Sequence, residues 1–264
     1  MPVSSTPDYL ALDRPEVLVH LFHPRTSVGP MDGGDRFQEL LIPVDAGIGV
    51  GARFYMTHPD GPSILFFHGN GEIVADYDNI APSFNQLGLN LMAVDYRGYG
   101  CSQGRPTVSA MMADCHRIYD FIRQWRVENG YSGKLVVMGR SLGSASALEL
   151  ASTYAEQIDG LVIESGFAWA GPLLRLLGVD PDRIGFDESL GFTNVDKIGK
   201  FAGPTTIIHA EFDHIIPFSD GQALFDTSSA QDKLLVKIPG ANHNDIFMRG
   251  FDRYMAALSR IVQW

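Results

Sequence analysis

The stretch VVMGRSLGSASALELA, Val136 to Ala151, joins an apolar run to a run of small residues through a turn with two glycines. These are Gly139 and Gly143, which flank Ser141 in the pattern G-x-S-x-G. Where this pattern joins a strand to a helix, the turn is so sharp that a side chain two positions from the serine would collide with neighbouring backbone. The pattern predicts a strained serine, exposed at the strand's carboxyl end. The alternative is a glycine-rich turn without a catalytic role.

Length and charge exclude several classes of protein. The chain has 264 residues, which suit one large core, and 31 acidic against 20 basic side chains leave a formal charge of -11. This charge argues against nucleic acid or an anionic membrane as the main partner. The N-terminus lacks the features of a signal peptide, and no apolar run approaches the roughly 18 residues of a membrane span. We therefore expect a cytoplasmic protein.

Cysteine content argues against a disulfide framework or a zinc site. The sequence contains two cysteines, Cys101 and Cys115, which are too few for either. We expect both thiols to be free.

Apolar runs along the chain predict the order of the strands. Segments 37–44 and 50–58 are β-rich and separated by an Asp-Ala-Gly turn, which indicates a hairpin. Six shorter apolar runs follow, at 63–69, 89–98, 134–141, 160–165, 205–211 and 233–240. Helical spacing between and after them, clearest at 108–122 and 247–262, indicates a parallel sheet covered on both faces. The sequence thus predicts a mostly parallel eight-stranded sheet in one domain, 1–264, with an N-terminal extension at 1–35.

A serine nucleophile needs a base and an acid that orients the base. His243 follows the run KLLVKIPGAN, and Asp213 follows TTIIHAEF, so both occupy loops at predicted strand ends. Because the carboxyl ends of parallel strands meet at one edge, we predict a triad of Ser141, His243 and Asp213. Two rivals remain: His214 as the base and Glu164, at the end of GLVIES, as the acid.

Stabilising a tetrahedral intermediate also needs two N–H donors. One is the backbone N–H of Leu142, directly after the nucleophile, and the other is expected in the loop FFHGNGEIVADY after the third strand. We predict Asn70 N–H as the second donor, with Gly71 as the neighbouring possibility. His68 is expected to brace this loop by hydrogen bonds.

Five motifs in this order resemble the α/β-hydrolase superfamily: HGNGE, DYRGYGCSQG, GRSLGSASAL, HAEFDHIIP and GANHND. They extend from about residue 63 to the C-terminus and are most similar to its serine aminopeptidase-like branch of serine hydrolases. The resemblance implies the α/β-hydrolase fold and the triad, but not a substrate. It also implies structural roles for Arg97 and Tyr99, and we expect Arg97 to pair with Asp95 or to bind buried carbonyls.

About forty residues, 166–204, lie between the sixth and seventh strands, more than a simple connection needs. In this superfamily such an insertion resembles a short cap. Pro172 and Gly178 are placed to begin and end a helix within it. We predict a substrate pocket formed by Phe167, Trp169, Leu173 and Ile215. The alternative, that the cap side chains only dock the cap onto the sheet, remains equally open.

The leading hypothesis from the sequence is a serine hydrolase that cleaves a small to medium ester or thioester and needs no cofactor or metal. Its partner is a small-molecule acyl substrate. One alternative is an aminopeptidase or amide hydrolase, in which Glu72 or Glu164 would hold the substrate's ammonium group. Another is a non-catalytic ligand-binding protein on a hydrolase scaffold. The acyl chain, the leaving group and the oligomeric state are left open.

Overall fold

A computed structural model describes residues 8–27 and 36–263, so the predicted extension 1–35 falls partly outside the described residues. The strands are β1 Gln38–Asp45, β2 Ile48–Tyr55, β3 Ser63–Phe67, β4 Asn90–Val94, β5 Leu135–Arg140, β6 Gly160–Glu164, β7 Thr205–Ala210 and β8 Lys233–Ile238. The helices are α1 Pro15–Leu21, α2 Ala81–Gln86, α3 Val108–Glu128, α4 Gly143–Thr153, α5 Ala170–Leu176, α6 Pro181–Ile184, α7 Asn194–Ile198, α8 Phe218–Thr227, α9 Ile246–Arg249 and α10 Phe251–Ser259. Short 3₁₀ helices lie at Val74–Tyr77, Glu188–Leu190 and Arg260–Gln263.

All eight strands form one sheet, in the order β1-β2-β4-β3-β5-β6-β7-β8. β1 and β2 form the predicted hairpin, and β2 also pairs antiparallel with β4. Every pairing from β4 through β8 is parallel. The predicted eight-stranded, mostly parallel sheet is therefore confirmed. Because β3 to β8 run in one direction, their carboxyl ends meet along one edge.

Helices cover both faces of the sheet, which explains the continuous apolar runs of the central strands. Successive side chains of a strand point to opposite faces. In β3, Leu65 and Phe67 pack into a core that includes α1, α3, α4 and the helices from α5 to α8. Ile64 and Phe66 pack into a second core with α2, α9 and α10. In the part of the chain that the structure describes, no helix is both long and apolar enough to cross a bilayer.

Two helix predictions need correction. The spacing at 247–262 predicts one helix, whereas α9 ends at Arg249 and α10 begins at Phe251. Gly250 separates them against Ile238 of β8, where an added Cβ would lie 2.4 Å from a side-chain carbon. In the cap, the helix begins at Ala170, before Pro172. The carboxylate of Glu188 accepts the N–H groups of Ala170 and Gly171 at 2.7 and 2.8 Å, and so satisfies the first turn.

The predicted cap segment, 166–204, contains α5, α6 and α7. It is attached at its carboxyl end, where Lys197 pairs with Glu149 of α4 at 2.6 Å. It is also attached near its start, where Ala168 N–H donates to Asp220 of α8 at 2.9 Å. Within the segment, Asn194 donates to the backbone oxygen of Phe167 at 2.9 Å and joins its two ends. The contact of Lys197 with Glu149 seats the segment beside the helix that follows Ser141. The division into one domain with a cap stays a prediction.

The turn between β5 and α4 has the close approach that the two glycines indicate. An added Cβ at Gly143 would lie 2.1 Å from the carbonyl oxygen of Phe67, and one at Gly139 would lie 2.3 Å from the carbonyl oxygen of Gly143. Both distances are far below van der Waals contact, and both neighbours are backbone atoms. Ser141 has a φ of 51°, in the left-handed region that residues other than glycine rarely adopt.

We expect Gly143→Ala to lower the free energy of unfolding by about 3 kcal/mol, since the backbone of β3 must shift to admit the methyl group. Chemical denaturation measures the loss. Gly199→Ala is the matched control, because its Cβ would meet ordinary contacts of 3.5 Å or more and its φ is -65°. The control should change stability by less than about 1 kcal/mol. Equal effects of the two substitutions would contradict the close approach.

Candidate active site

Ser141 lies at the carboxyl end of the central strand β5. Its backbone N–H donates to the carbonyl of Glu164 on β6 at 2.9 Å, and its own carbonyl accepts the hydroxyl of Ser144 at 2.6 Å. These bonds hold both sides of the strained residue. The side chain is 8% exposed and faces a cavity. A strained, anchored serine at this edge has the geometry expected of a nucleophile.

His243 lies in the loop after β8, within reach of Ser141. Its Nε2 is 3.0 Å from Ser141 Oγ, and its Nδ1 is 2.7 Å from Asp213 Oδ2. The residue is 4% exposed. With the Nδ1 proton directed to the carboxylate, Nε2 of the neutral ring accepts the serine hydroxyl. This is the tautomer that a general base needs.

Asp213 is held by its own loop after β7. Its Oδ1 accepts the backbone N–H groups of Ile215 and Ile216 at 3.0 and 2.8 Å, which leaves Oδ2 for His243. Burial alone would raise the pKa of Asp213, but the hydrogen bond and charge of His243 outweigh it and lower the pKa. The carboxyl is therefore ionised at neutral pH, where it can orient and stabilise an imidazolium.

The rival residues lie elsewhere. His214 is exposed and contributes to a neighbouring cavity, not to the one with Ser141. Glu164 accepts the hydroxyl of Tyr254 at 2.6 Å, and its other oxygen lies 3.3 Å from Arg140 Nη1. Among the described residues, neither forms a hydrogen bond to His243. The geometry therefore favours Asp213 and His243 over both rivals.

The two predicted oxyanion donors line the cavity that contains Ser141. Within residues 8–27 and 36–263, the backbone N–H groups of Asn70 and Leu142 donate to no acceptor. The peptide between Gly69 and Asn70 is oriented through its carbonyl, which accepts His68 Nδ1 at 2.8 Å and Glu72 N–H at 3.3 Å. Because a trans peptide is planar, fixing the carbonyl also fixes the direction of the Asn70 N–H.

His68 braces the loop from beneath. It is fully buried, and its Nε2 lies 3.1 Å from Asp95 Oδ1. Burial alone would lower the pKa of His68, but the hydrogen bond and charge of Asp95 outweigh it and raise the pKa. Arg97 is not the partner of Asp95. It pairs instead with Asp114, through two bonds of 2.7 Å, and this corrects the predicted pair.

Arg140 links three loops of the site. Its Nε donates to Glu72 at 2.8 Å, and its Nη2 donates to the backbone carbonyl of His243 at 3.0 Å. Its Nη1 lies 3.3 Å from Glu164. The side chain is 9% exposed, so these charges interact with little solvent screening. Arg140 thus joins the turn at Ser141 to the loops that carry Asn70 and His243.

Glu72 completes this arrangement in the loop after β3, which also carries Asn70. One carboxylate oxygen binds Arg140, and the other accepts Gly69 N–H and Tyr77 O–H, each at 2.7 Å. Burial would raise the pKa of Glu72, but the charge of Arg140 leads the contacts that outweigh it and lower the pKa. Burial raises the pKa of Glu164. Both carboxylates are therefore occupied by protein groups.

The cavity at Ser141 has a volume of about 230 Å³. Of the four predicted pocket residues, Leu173 and Ile215 line it. Phe167 packs against Phe192 and lines an adjoining cavity of about 260 Å³ instead. Trp169 precedes α5 and is 41% exposed, so it does not line the cavity either. Leu173 and Ile215 also border the adjoining cavity, so they separate the two spaces.

Sequence reasoning missed several residues around Ser141. Leu21 and His23 line the cavity although they precede every recognised motif. Asn244 also lines it, within the recognised motif GANHND but without a predicted role. Leu177, one of the apolar cap residues that the sequence places near a pocket, completes the wall. Arg140 lies within the recognised G-x-S-x-G motif, but no pattern indicates its three partners. Both cysteines are free, and the described residues contain no group of three or more His, Cys, Asp or Glu suited to a metal ion.

Comparisons with known proteins agree with this architecture. A family model described as "Serine aminopeptidase, S33" matches residues 58–179. Alpha/beta hydrolase domain-containing protein 17B of Homo sapiens is 29% identical over 238 residues, covering 86% of this chain and 76% of the relative.

Solved structures of esterases share the fold at low sequence identity. The esterase Pf2001 of Pyrococcus furiosus superposes with a TM-score of 0.73 at 14% identity, covering 91% of this chain and 98% of that chain. Est1E from Butyrivibrio proteoclasticus with bound ferulic acid superposes with a TM-score of 0.68 at 16% identity. The match covers 85% of this chain and 98% of that chain. The predicted α/β-hydrolase fold is therefore confirmed.

We expect Glu72→Gln to destabilise the protein by about 2 kcal/mol at pH 7, because Arg140 loses a charged hydrogen bond. The folded-state pKa of Glu72 lies below its ordinary value of 4.5, so the stabilisation is complete above that pH and lost as pH falls below it. Chemical denaturation measures the free energy of unfolding of wild type and variant. The difference between the two should be smaller at pH 3.5 than at pH 7. Glu156→Gln, at an exposed position, is the control without such a trend. A difference that is independent of pH would contradict the assignment.

Proposed function

Because the chain belongs to the α/β-hydrolase superfamily, we propose that it is a serine hydrolase that cleaves small to medium esters or thioesters through an acyl-enzyme. One observation carries the proposal: Ser141 Oγ, His243 and Asp213 form a continuous hydrogen-bonded relay of 3.0 and 2.7 Å. Few structural roles require a strained serine, a buried histidine and an ionised carboxylate in this arrangement.

In the first half-reaction, Ser141 Oγ attacks the acyl carbon while His243 Nε2 takes the hydroxyl proton. The N–H groups of Leu142 and Asn70 then stabilise the developing oxyanion. His243 returns the proton to the departing alcohol or thiol as the carbonyl re-forms, which leaves the acyl group on Ser141. Asp213 stays ionised and stabilises the imidazolium between these steps.

In the second half-reaction, His243 removes a proton from water, and the hydroxide attacks the acyl-enzyme carbonyl. Collapse of this intermediate breaks the bond to Ser141 Oγ, which regains its proton from His243. The products are a carboxylic acid and free enzyme. No group other than water is consumed.

The cavity supports an acyl substrate of modest size. Five apolar side chains form part of its wall: Leu21, Leu142, Leu173, Leu177 and Ile215. Its volume of about 230 Å³ suits a short acyl group, and the adjoining 260 Å³ beyond Leu173 and Ile215 offers room for a longer one. Esterases among the structural neighbours are in keeping with this choice.

The aminopeptidase alternative has less support, despite the description of the matching family. It needs a carboxylate available to a substrate ammonium group. Glu72 is bound to Arg140, Gly69 and Tyr77, and Glu164 is bound to Tyr254 beside Arg140. Recruiting either would leave a buried cation or hydroxyl without its partner.

Ser141→Ala should abolish turnover of p-nitrophenyl butyrate and of a butyryl thioester, and should abolish labelling by a fluorophosphonate. The variant should keep its thermal midpoint, since Ala removes only the hydroxyl. Ser219→Ala, at an exposed position of α8, is the control that keeps the nucleophile. Labelling that persists in the Ser141 variant, or binding of esters by wild type without product release, would refute the proposal. Faster cleavage of aminoacyl anilides than of esters would favour the peptidase.

Asp213→Asn should lower kcat on the order of 10⁴-fold while the protein stays folded, because the imidazole loses both its tautomer control and its charge stabilisation. Glu164→Gln is the control at the rival strand end, and it should cost far less. Stopped-flow or steady-state ester kinetics compare the two. A reversed ranking would move the acid to the end of β6. A loss of only a few-fold in both variants would mean that another group orients His243.

A further inference from the structure

Residues 13–27 are anchored on two sides of the stretch that lines the cavity at Ser141. On the first side, α1 buries Val17 and Leu21 in the core. Just before it, Asp13 Oδ1 accepts the N–H groups of Val108 and Ser109 at 2.7 and 3.2 Å, and so helps to cap α3. The chain is therefore held before it reaches the catalytic cavity.

The second anchor lies just beyond the cavity. Gly100 N–H donates to the carbonyl of Arg25 at 2.8 Å, and Ser27 N–H donates to the carbonyl of Gly100 at 3.0 Å. Residues 21–27, which we call the N-terminal strap, therefore run between two fixed points. Leu21 and His23 of the strap line the cavity with Ser141.

Between the anchors, His23 holds the side chain of Asn70 on two sides. Its backbone N–H donates to Asn70 Oδ1 at 2.9 Å, and its ring Nδ1 lies 2.9 Å from Asn70 Nδ2. Tyr99 also donates its hydroxyl to Asn70 Oδ1 at 2.7 Å. The amide of Asn70 is thus committed to the protein, and its backbone N–H is left for a substrate.

Arg25 holds the next residues of the same loop. Its Nε donates to the carbonyl of Gly71 at 2.6 Å, and its guanidinium pairs with Asp76. Within the loop, Glu72 accepts Gly69 N–H and binds Arg140. The oxyanion loop, 69–72, is therefore held both by the strap and by the buried Arg140.

We propose that His23 is a positioning residue for the oxyanion hole, which it serves by holding Asn70 through the ring contact at Nδ1. This inference rests on the proposed function, since it assigns the strap a part in the same reaction. The ring itself need not touch the reacting atoms. An oxyanion donor stabilises the transition state more than the ground state, so a displaced Asn70 N–H lowers kcat with little change in KM.

The test compares His23→Ala with His20→Ala, an exposed histidine of α1 outside the cavity. With p-nitrophenyl butyrate, His23→Ala should lower kcat about 10- to 100-fold and leave KM within about threefold, as expected for a displaced donor. His20→Ala should behave as wild type. His23→Gln, whose amide oxygen can accept from Asn70 Nδ2, should recover most of the activity. An unchanged kcat, or a change in KM alone, overturns the proposal.

A double-mutant cycle shows whether His23 affects kcat through Asn70 or through a direct contact with the substrate. Because His23 acts through Asn70, the variant carrying His23→Ala and Asn70→Ala should be no slower than Asn70→Ala alone. Effects that multiply would mean that His23 acts on the substrate directly, and would overturn the positioning role. Neither result depends on which ester is used.

Hydrogen exchange gives a readout that does not need activity. The amides of Gly69 and Glu72 should exchange faster in His23→Ala than in wild type, and at an unchanged rate in His20→Ala. Wild type without ester turnover would refute the proposed function, and exchange would still decide whether His23 holds the loop. Wild-type turnover with unchanged exchange and kcat in His23→Ala would leave the function standing and overturn the role of His23.

Discussion

The close approach of β3 and the start of α4 is the constraint on which the site depends. Gly143 lies so near the carbonyl of Phe67 that no side chain fits between them. The helix can therefore start directly behind the strand, and the chain must reverse within a few residues. Ser141 absorbs that reversal with its positive φ. The backbone strain therefore lies at Ser141, whose hydroxyl projects from the edge of the sheet. The packing of α4 against β5 keeps the residue in this conformation.

Arg140 directly precedes Ser141 in the same turn, and its side chain is 9% exposed. A buried ion pair rarely adds net stability, since the cost of removing both charges from water offsets their attraction. What the cluster provides is geometry. One guanidinium meets Glu72 in the loop after β3, the carbonyl of His243 in the loop after β8, and Glu164 at the end of β6. Moving any one of these segments would leave part of the buried guanidinium without a partner.

The sequence predicts those parts of this fold and site that have local causes. Short apolar runs mark the central strands because both faces of a parallel sheet are buried, and Ser141, Asp213 and His243 are recognisable because each follows such a run. The predictions that were wrong concern packing between distant segments. Nothing near Arg97 indicates Asp114 rather than Asp95, and the break at Gly250 depends on its contact with Ile238.

The cap is a second region in which packing between distant segments could not be predicted from the sequence. Phe167, Trp169, Leu173 and Ile215 are all apolar, so composition cannot tell which of them line the cavity at Ser141. That choice depends on how α5 is seated, and α5 is seated in part by the carboxylate of Glu188 on its first turn. A residue that caps a helix from eighteen positions away has no local pattern to reveal it.

The N-terminal strap is the extreme case, since His23 and Asn70 are 47 residues apart and half of their contact uses a backbone N–H that any residue except proline offers. Catalytic residues can be recognised in sequence motifs, because only a few side chains can act as nucleophile, base or acid. Many different side chains, at many positions, can hold catalytic groups in place. A single sequence therefore rarely shows which residues do so. In this protein both kinds of residue occur in the loop 69–72. Its recognisable HGNGE motif is held in position by Arg140, beside Ser141, and by residues 21–27, which no motif marks.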